Sequence, residues 1–344
     1  MSIHEKYIKR CFDIAKIAQN NVKSNPNVGS VIVHNGNIIA EGYHEMYGSH
    51  HAEKNAIYNV KEEDKKLLSE SILYVSLEPC CIHGKTPPCS DLIINSGIKK
   101  IVVSAHDPNP EMQGKSIAIL RDKGIVVIDG ILEQKGLDLI KPFRANLSKR
   151  PYVILKFAQS SDAYFGKRGR QVWISGKKAQ VKVHLWRSQI DAILIGYQTA
   201  LIDNPQLTTR LVDGTSPFRV VIDDQLSLPK THSLWSDDKP TLFICQDESL
   251  VKKDVTKSVI YIAKDEQFYA NILEYLYKIG KFRLMVEGGA QTIKNFIAAD
   301  HWDEARIIRS RKALNSGIRA PFVKGRLVRK DSFSTDTIEY VFND

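Results

Sequence analysis

No stretch of this 344-residue sequence stays apolar for long enough to cross a bilayer. Its opening residues, Met1-Ser2-Ile3-His4-Glu5-Lys6, lack the apolar core of a signal peptide. The expectation is a cytoplasmic protein with no membrane partner. Internal repeats and low-complexity segments are also missing, which leaves ordinary globular domains. Cysteines are few and odd in number: Cys11, Cys80, Cys81, Cys89 and Cys245. An odd count without an export signal argues against a disulfide framework, and the cluster of three points to metal or thiol chemistry. No Gly-x-Gly-x-x-Gly follows a strand, so the Rossmann fingerprint is absent. Nor are aromatics interleaved with basic residues to stack on bases, which argues against a nucleic-acid partner.

The length suits two domains. Hydrophobic residues make up 43% and charged residues 26%, as in soluble globular proteins. The net charge of +10 is spread without a Lys/Arg block. It fits small phosphorylated ligands, or simply a basic solvated surface.

Apolar spacing predicts a helix over Ile3 to Gln19, then strands Val28 to His34 and Asn37 to Tyr43 joined by an Asn-Gly turn. Helices near His51 to Val60, Cys89 to Asn95 and Ser116 to Lys123 alternate with strands Ile72 to Leu77, Lys100 to Ala105 and Ile125 to Ile128. This alternation implies an α/β domain over residues 1–145. Lys141 to Pro151 is polar, basic and proline-bounded, and reads as a linker. A second α/β domain is expected over 151–344. Its strands are Tyr152 to Ala158, Asp191 to Ile195, Phe218 to Ile222, Thr241 to Cys245 and Arg283 to Val286. Its helices are Lys177 to Ser188, Glu266 to Lys278 and Ala290 to Ala298.

The strongest chemical signal is His51-Ala52-Glu53, followed by Glu78-Pro79-Cys80 and then Cys89. Catalytic zinc takes three protein ligands from nitrogen and sulfur donors and keeps a fourth position open. His51, Cys80 and Cys89 supply that set. Glu53 is expected to take a proton from the water that zinc activates and to pass it to a leaving amine. This is the layout of zinc nucleobase deaminases, with one departure: their second cysteine comes three positions after the first, whereas Cys89 comes nine after Cys80. The intervening Gly and prolines make a rigid loop, and a helix N-terminus at Cys89 would favour its thiolate. Cys81 reads as a bystander, and His44 and His50 as solvent- or substrate-side residues.

Taken together, Leu77-Glu78-Pro79-Cys80, Gly84-Lys85-Thr86-Pro87-Pro88-Cys89, Asn25-Pro26-Asn27-Val28-Gly29 and Asp107-Pro108-Asn109-Pro110 resemble the bifunctional deaminase–reductases of riboflavin biosynthesis. The resemblance covers nearly the whole chain. It implies a cytidine-deaminase-like three-layer α/β/α domain followed by a dihydrofolate-reductase-like α/β domain. It also implies zinc and NADPH as cofactors and a phosphorylated pyrimidine as substrate. Zinc-dependent hydrolysis of the 2-amino group of a diaminopyrimidinone ribosylamino 5-phosphate would precede reduction of its ribosyl to a ribityl chain. By the same resemblance, Asn25 and Lys85 face the deaminase substrate. His83 stands one place after the family's usual imidazole and is expected to supply it. Ser116 replaces a usual Gly.

In the second domain, Lys156-Phe157-Ala158-Gln159-Ser160, Trp173-Ile174-Ser175 and Asp203-Asn204-Pro205 carry the resemblance. It implies that Ala158, Trp173, Thr199, Asp203, Gly288 and Gly289 lie along NADPH. Arg187, Leu207, Arg210 and Glu287 would surround the substrate, with Gln171 near the place of a usual serine. Glu287-Gly288-Gly289-Ala290 follows a strand and opens a helix, which suits a diphosphate, although an ordinary tight turn reads the same way. Where the family has Ser-x-Asp-Gly, this chain ends the motif in Ala163, which is strained if φ is positive there. The C-terminus from Arg306 matches poorly. Two rivals remain at this level: a nucleic-acid base deaminase, and a deaminase whose second domain is a non-catalytic scaffold. A homo-oligomer is expected.

Overall fold

The computed structural model describes residues 2–18, 20–82, 87–252, 256–333 and 335–344. It divides into two compact units, residues 1–148 and 149–344.

In the first unit, helix α1 (Ile3–Ala15) starts at a capping box in which Ser2 and Glu5 satisfy each other's backbone N–H groups. Its apolar stripe of Tyr7, Ile8, Cys11, Phe12 and Ile14 is buried. Strands β1 (Gly29–His34) and β2 (Asn37–Tyr43) form a hairpin through Asn35 and Gly36, both at positive φ. Helix α2 (Ala52–Tyr58), β3 (Ile72–Leu77), α3 (Cys89–Asn95), β4 (Lys100–Ala105), α4 (Lys115–Asp122) and β5 (Val126–Ile128) follow. The sheet order is β2-β1-β3-β4-β5, with β1 antiparallel to both neighbours and β3, β4 and β5 parallel. Side chains alternate across it. Val31, Val33, Tyr74 and Val102 pack with α1, while Ile32, Leu73, Val75, Ile101 and Val103 pack with Ala52, Ala56, Ile93 and Leu120 of α2, α3 and α4. The result is a three-layer α/β/α unit. Each fully buried Ile or Leu contributes about 1.5–3 kcal/mol.

The segment expected to be a linker is mostly helical. After α5 (Glu133–Leu139), helix α6 runs Lys141–Leu147. Pro142 lies in its first turn, where proline is tolerated, and Ala145 and Asn146 are buried. Proline therefore marks a helix start here, and only residues 148–151 connect the units' regular elements.

The second unit contains β6 (Tyr152–Gln159), β7 (Tyr164–Gly166), α7 (Lys177–Arg187), β8 (Ala192–Gly196), α8 (Tyr197–Asp203), β9 (Phe218–Ile222), α9 (Ser233–Ser236), β10 (Thr241–Cys245), β11 (Lys257–Tyr261), α10 (Phe268–Lys278), β12 (Arg283–Val286), α11 (Ala290–Ala298), β13 (Glu304–Ser310), β14 (Ile318–Arg319), β15 (Arg326–Phe333) and β16 (Asp336–Phe342). Nine strands form one sheet in the order β11-β10-β9-β8-β12-β6-β13-β16-β15. It is parallel from β11 to β13 and antiparallel beyond. From β6 the chain moves outward through β8 to β11, then returns to insert β12 beside β6. The crevice outside the carboxyl ends of strands at such a reversal is where open α/β sheets bind ligands. No described helix is long and apolar enough to cross a membrane.

Candidate active sites

His51 caps the N-terminus of α2 with extended backbone, and Glu53 sits in the helix's first turn. The helix can lie this close to the sheet because Gly42 of β2 has no side chain: a Cβ there would come 2.2 Å from Ala56 N and 2.6 Å from Ala52 O. Asn55 and Asn59 of α2 fasten it by donating to the Tyr43 and Glu41 carbonyls at 2.8 and 2.9 Å. Cys80 follows the carboxyl end of β3, and Cys89 is the first residue of α3.

Folding brings these residues together. His51 Nδ1 lies 3.4 Å from both Cys80 Sγ and Cys89 Sγ, and the three ligand atoms all fall within 4.8 Å of one another. A tetrahedral zinc with one nitrogen and two sulfur ligands sets N···S separations of about 3.5 Å. The donor set and its spacing therefore fit that ion. The Cys89 N–H donates to Cys80 Sγ at 3.3 Å. Hydrogen bonding from the Cys89 thiol, with His51 and this N–H, pulls the Cys80 thiol down, which favours thiolate. Glu53 is almost completely buried, and burial raises its carboxyl to about 7. Cys81 stays outside the triad.

Glu78 braces the metal loop from behind. Its buried carboxylate accepts from the N–H groups of Asp107, Gly114 and Ser116 at 3.1, 2.9 and 3.2 Å, and from the Ser116 hydroxyl at 3.0 Å. The hydroxyl at position 116 thus adds a bond that glycine would lack. Asn25 is half-buried, and its Nδ2 faces His44 Nε2 at 3.1 Å. His44 Nδ1 faces the His50 carbonyl at 3.0 Å, and a carbonyl only accepts. His44 therefore carries its proton on Nδ1 and accepts the Asn25 amide on Nε2. His44 is buried, which takes it out of solvent contact, and its ring holds the Asn25 amide. His83 and Lys85 lie outside the described residues.

In the second unit, a cavity of about 1090 Å³ opens at the carboxyl ends of the parallel strands. Arg187, Leu207, Arg210, Glu287 and Gln171 line it, as do Trp173, Thr199, Asp203 and Gly289. Ala158 and Gly288 do not; a Cβ on Gly288 would meet Ile195 Cα at 2.4 Å, so this glycine serves helix–strand packing. A cavity of this size at a sheet reversal fits a dinucleotide together with a small substrate. Glu287 is the hub of one end. Arg187 grips it with Nε and Nη2 at 2.8 and 2.9 Å, and Lys156 Nζ lies at 3.4 Å. Burial alone would raise the Glu287 carboxyl, but Arg187 and Lys156 hold it down at about 2. Arg187 also donates to the Thr208 carbonyl at 3.2 Å. Leu207 is buried at φ +56°, and the Arg210 N–H donates to His184 Nδ1 at 3.1 Å. The Gly289 N–H donates to Thr199 Oγ1 at 2.7 Å. Lys156 belongs to a strand motif, and its meeting with Glu287, 131 positions away, leaves no mark in the sequence spacing.

A His/Cys/Cys cluster beside a buried glutamate, on a three-layer α/β/α unit, defines a zinc-dependent hydrolytic deaminase, here joined to an α/β reductase unit. Residues 1–105 match the cytidine and deoxycytidylate deaminase zinc-binding region, and residues 151–322 match the RibD C-terminal domain. Riboflavin biosynthesis protein RibD of Actinobacillus pleuropneumoniae is 37% identical over 86% of this chain and 79% of its own length. That of Aquifex aeolicus is 35% identical over 92% and 89%. The crystal structure of the diaminohydroxyphosphoribosylaminopyrimidine deaminase/5-amino-6-(5-phosphoribosylamino)uracil reductase of Thermotoga maritima superposes with a TM-score of 0.85 at 34% identity, covering 99% of this chain and 98% of that one. The chain belongs to the RibD family, the bifunctional deaminase–reductases of riboflavin biosynthesis.

Proposed function

We propose that this enzyme takes the substrates in the name of its Thermotoga relative, a diaminopyrimidinone ribosylamino phosphate and then its deaminated product, and that the residues above carry the two reactions. The observation behind the first step is the joint placement of His51, Cys80, Cys89 and buried Glu53. Zinc, held by the three ligands, supplies the Lewis acidity that makes water nucleophilic at neutral pH. Glu53 takes the proton from the attacking water and returns it to the departing amino group, so that ring C–NH₂ and water become ring C=O and ammonia. A carboxyl raised towards neutrality by burial suits a group that must both accept and donate. Asn25, oriented by His44, offers an amide oxygen to a ring N–H, and His83 and Lys85 complete the binding of ring and phosphate.

For the second step, NADPH, when bound in this cavity, would be the source of the hydride that reduces the ribosyl to the ribityl chain. Arg187 and Arg210 meet the phosphate, and Lys156 and Glu287 hold the sugar end by hydrogen bonds. Leu207 and Gln171 close the substrate side. Trp173, Thr199, Asp203 and Gly289 line the cofactor, with Ala158 and Gly288 supporting the strand and turn behind it. We also read the protein as a self-associating enzyme of the cell interior. Among the described residues, β15 ends the nine-stranded sheet with no strand on its outer edge, and light scattering of the purified chain tests this.

The decisive experiment is a two-stage assay on Glu53→Gln. Ammonia release is expected to fall by about 10²–10⁴-fold. Bound zinc stays at one per chain, and NADPH oxidation on the deaminated product is unchanged. Deamination at the wild-type rate would remove Glu53 from its role.

A further inference from the structure

The reductase cavity has a second charged end that the residues assigned so far do not use. The first end is built from Lys156 of β6, Glu287 just after β12 and Arg187 at the end of α7. Thr199, in the helix after β8, and Gly289, after β12, are bonded to each other at the strands that stand between β9 and β6 in the sheet order. The second end lies beyond β9 and β11, where the cavity is lined by Asp224, Lys264, Tyr269 and Asn295. Lys264 Nζ is paired with Asp224 Oδ2. Tyr269 accepts from Asn295 Nδ2 at 2.7 Å and feels both the Lys264 and Asp224 charges, so the four form one cluster. In the order β9-β8-β12-β6, three strand spacings separate Asp224's strand from Lys156's. That is about 14 Å at the usual strand separation, the scale of an extended dinucleotide rather than of one small substrate.

The pair at this end is built to be opened. The Lys264 side chain is 63% exposed and that of Asp224 34%. An exposed ion pair of this kind contributes little net stability, so a ligand anion can displace the carboxylate cheaply. The position of Asp224 itself is rigid. Its neighbour Asp223 is buried, and that carboxylate accepts from the Ser227 and Leu228 N–H groups at 3.1 and 2.9 Å. The Asp224 carbonyl accepts from Gln246 N–H at 2.9 Å. A fixed carboxylate and a long, mobile ammonium make an arrangement in which only the lysine can swing. A phosphate monoester carries about two negative charges, more than Asp224 offers, and three oxygens.

We propose that Lys264 reads the ribose phosphate by which NADPH differs from NADH, moving to it from Asp224, and that Asp224 opposes the same phosphate and so tunes the preference. The inference rests on the cofactor lining given under the proposed function, and takes the diphosphate to sit at the Thr199–Gly289 step with the adenosine half running on towards β9. Asp224 and Lys264 then act as a matched pair: the lysine sets NADPH affinity, and the aspartate limits it while leaving NADH nearly untouched.

The test is a titration of the zinc-loaded, full-length enzyme with NADPH and, separately, NADH. It is followed by calorimetry and by tryptophan emission, since Trp173 lines the cavity. Lys264→Ala is expected to weaken NADPH about tenfold, the loss of one charge-assisted contact, with NADH affinity unchanged. Lys264→Gln should do the same. Asp224→Asn should tighten NADPH several-fold and leave NADH alone. Lys294→Ala removes another cation on the cavity wall and should leave the NADPH/NADH ratio unchanged. An unaltered ratio in both Lys264 variants overturns the proposal, and so does a ratio that moves with Lys294 instead. Wild-type enzyme that binds neither nucleotide would overturn the cofactor placement itself, a separate failure visible before any variant is made. Circular dichroism of each variant shows that the fold is retained.

Discussion

Ala163 occupies the left-handed region at φ +62°, where its turn is pinned from both sides. The Ser160 hydroxyl meets Asp162 Oδ1 at 2.5 Å, and the Asp162 carboxylate accepts from the Leu314 and Asn315 N–H groups at 3.0 and 2.6 Å. A side chain in that region costs about 1–2 kcal/mol. Glycine would remove this cost but lose about 0.4–1 kcal/mol through the freer unfolded chain. The first effect is larger, so Ala163→Gly should stabilise the reductase unit by about 0.5–1 kcal/mol, read as a shift in the urea midpoint. All four tryptophans, Trp173, Trp186, Trp235 and Trp302, lie in that unit, so their emission follows its unfolding alone. His184 makes a second prediction by the same readout. Burial, then Arg187 and Arg210, push its imidazole from 6.5 down to about 4, although Glu287 pulls the other way. Above pH 6.5 it is neutral in both states. As pH falls below 6.5 the unfolded chain binds a proton that the folded chain refuses, and stability declines until about pH 4. His184→Asn, which keeps an acceptor for the Arg210 N–H, should flatten that slope. An unchanged slope would show that another group is responsible.

At the scale of elements, the deaminase centre depends on how closely α2 lies on β2. Gly42→Ala would drive a Cβ into Ala56 N and Ala52 O, backbone atoms that cannot give locally. Helix α2 must then shift and carry His51 and Glu53 with it. Metal analysis should find zinc well below one per chain and deamination lost, while NADPH binding persists. Gly36→Ala is the contrast. Its φ of +80° makes alanine strained, but nothing lies within 4 Å, so a cost of about 1 kcal/mol should appear without loss of zinc. The elements differ in how legible they were. Helix α1 and strands β1 to β4 follow from clean periodicity and an Asn-Gly turn. Helix α6 did not, because its proline and basic residues resemble a linker until Ala145 and Asn146 find a surface to pack on. Strand β13 was masked by charge. It reads Glu-Ala-Arg-Ile-Ile-Arg-Ser; the half-buried Arg306 is matched by Glu304 at 2.7 Å and by the Trp186 ring, while Arg309 points outward and pairs with Glu339 at 2.5 Å. The C-terminus that matched its relatives poorly is thus still a sheet, held by β13, β16 and β15.

For the whole molecule, each unit has its own apolar core, so each should respond to its own ligand. Chelating zinc should lower the melting transition of the deaminase unit and leave the tryptophan-detected transition in place. NADPH at 100 times its dissociation constant should stabilise the reductase transition by about 2.7 kcal/mol and spare the other. A single transition moved equally by both ligands would show that the units melt together.

The sequence by itself determined the chemistry of the first unit. Zinc needs particular donor atoms, those residue types are rare, and their order along strand ends and helix starts already limits what they can do. It also determined the alternation of strands and helices, because hydrophobic periodicity is a local property. Only the tertiary structure decided which distant groups meet. Glu287 finds Arg187 across 100 positions and Lys156 across 131, and the His44 ring meets the Asn25 amide across 19. The reason is physical: a parallel sheet brings residues together through strand order and crossover connections, and neither leaves a trace in the spacing of the residues it joins.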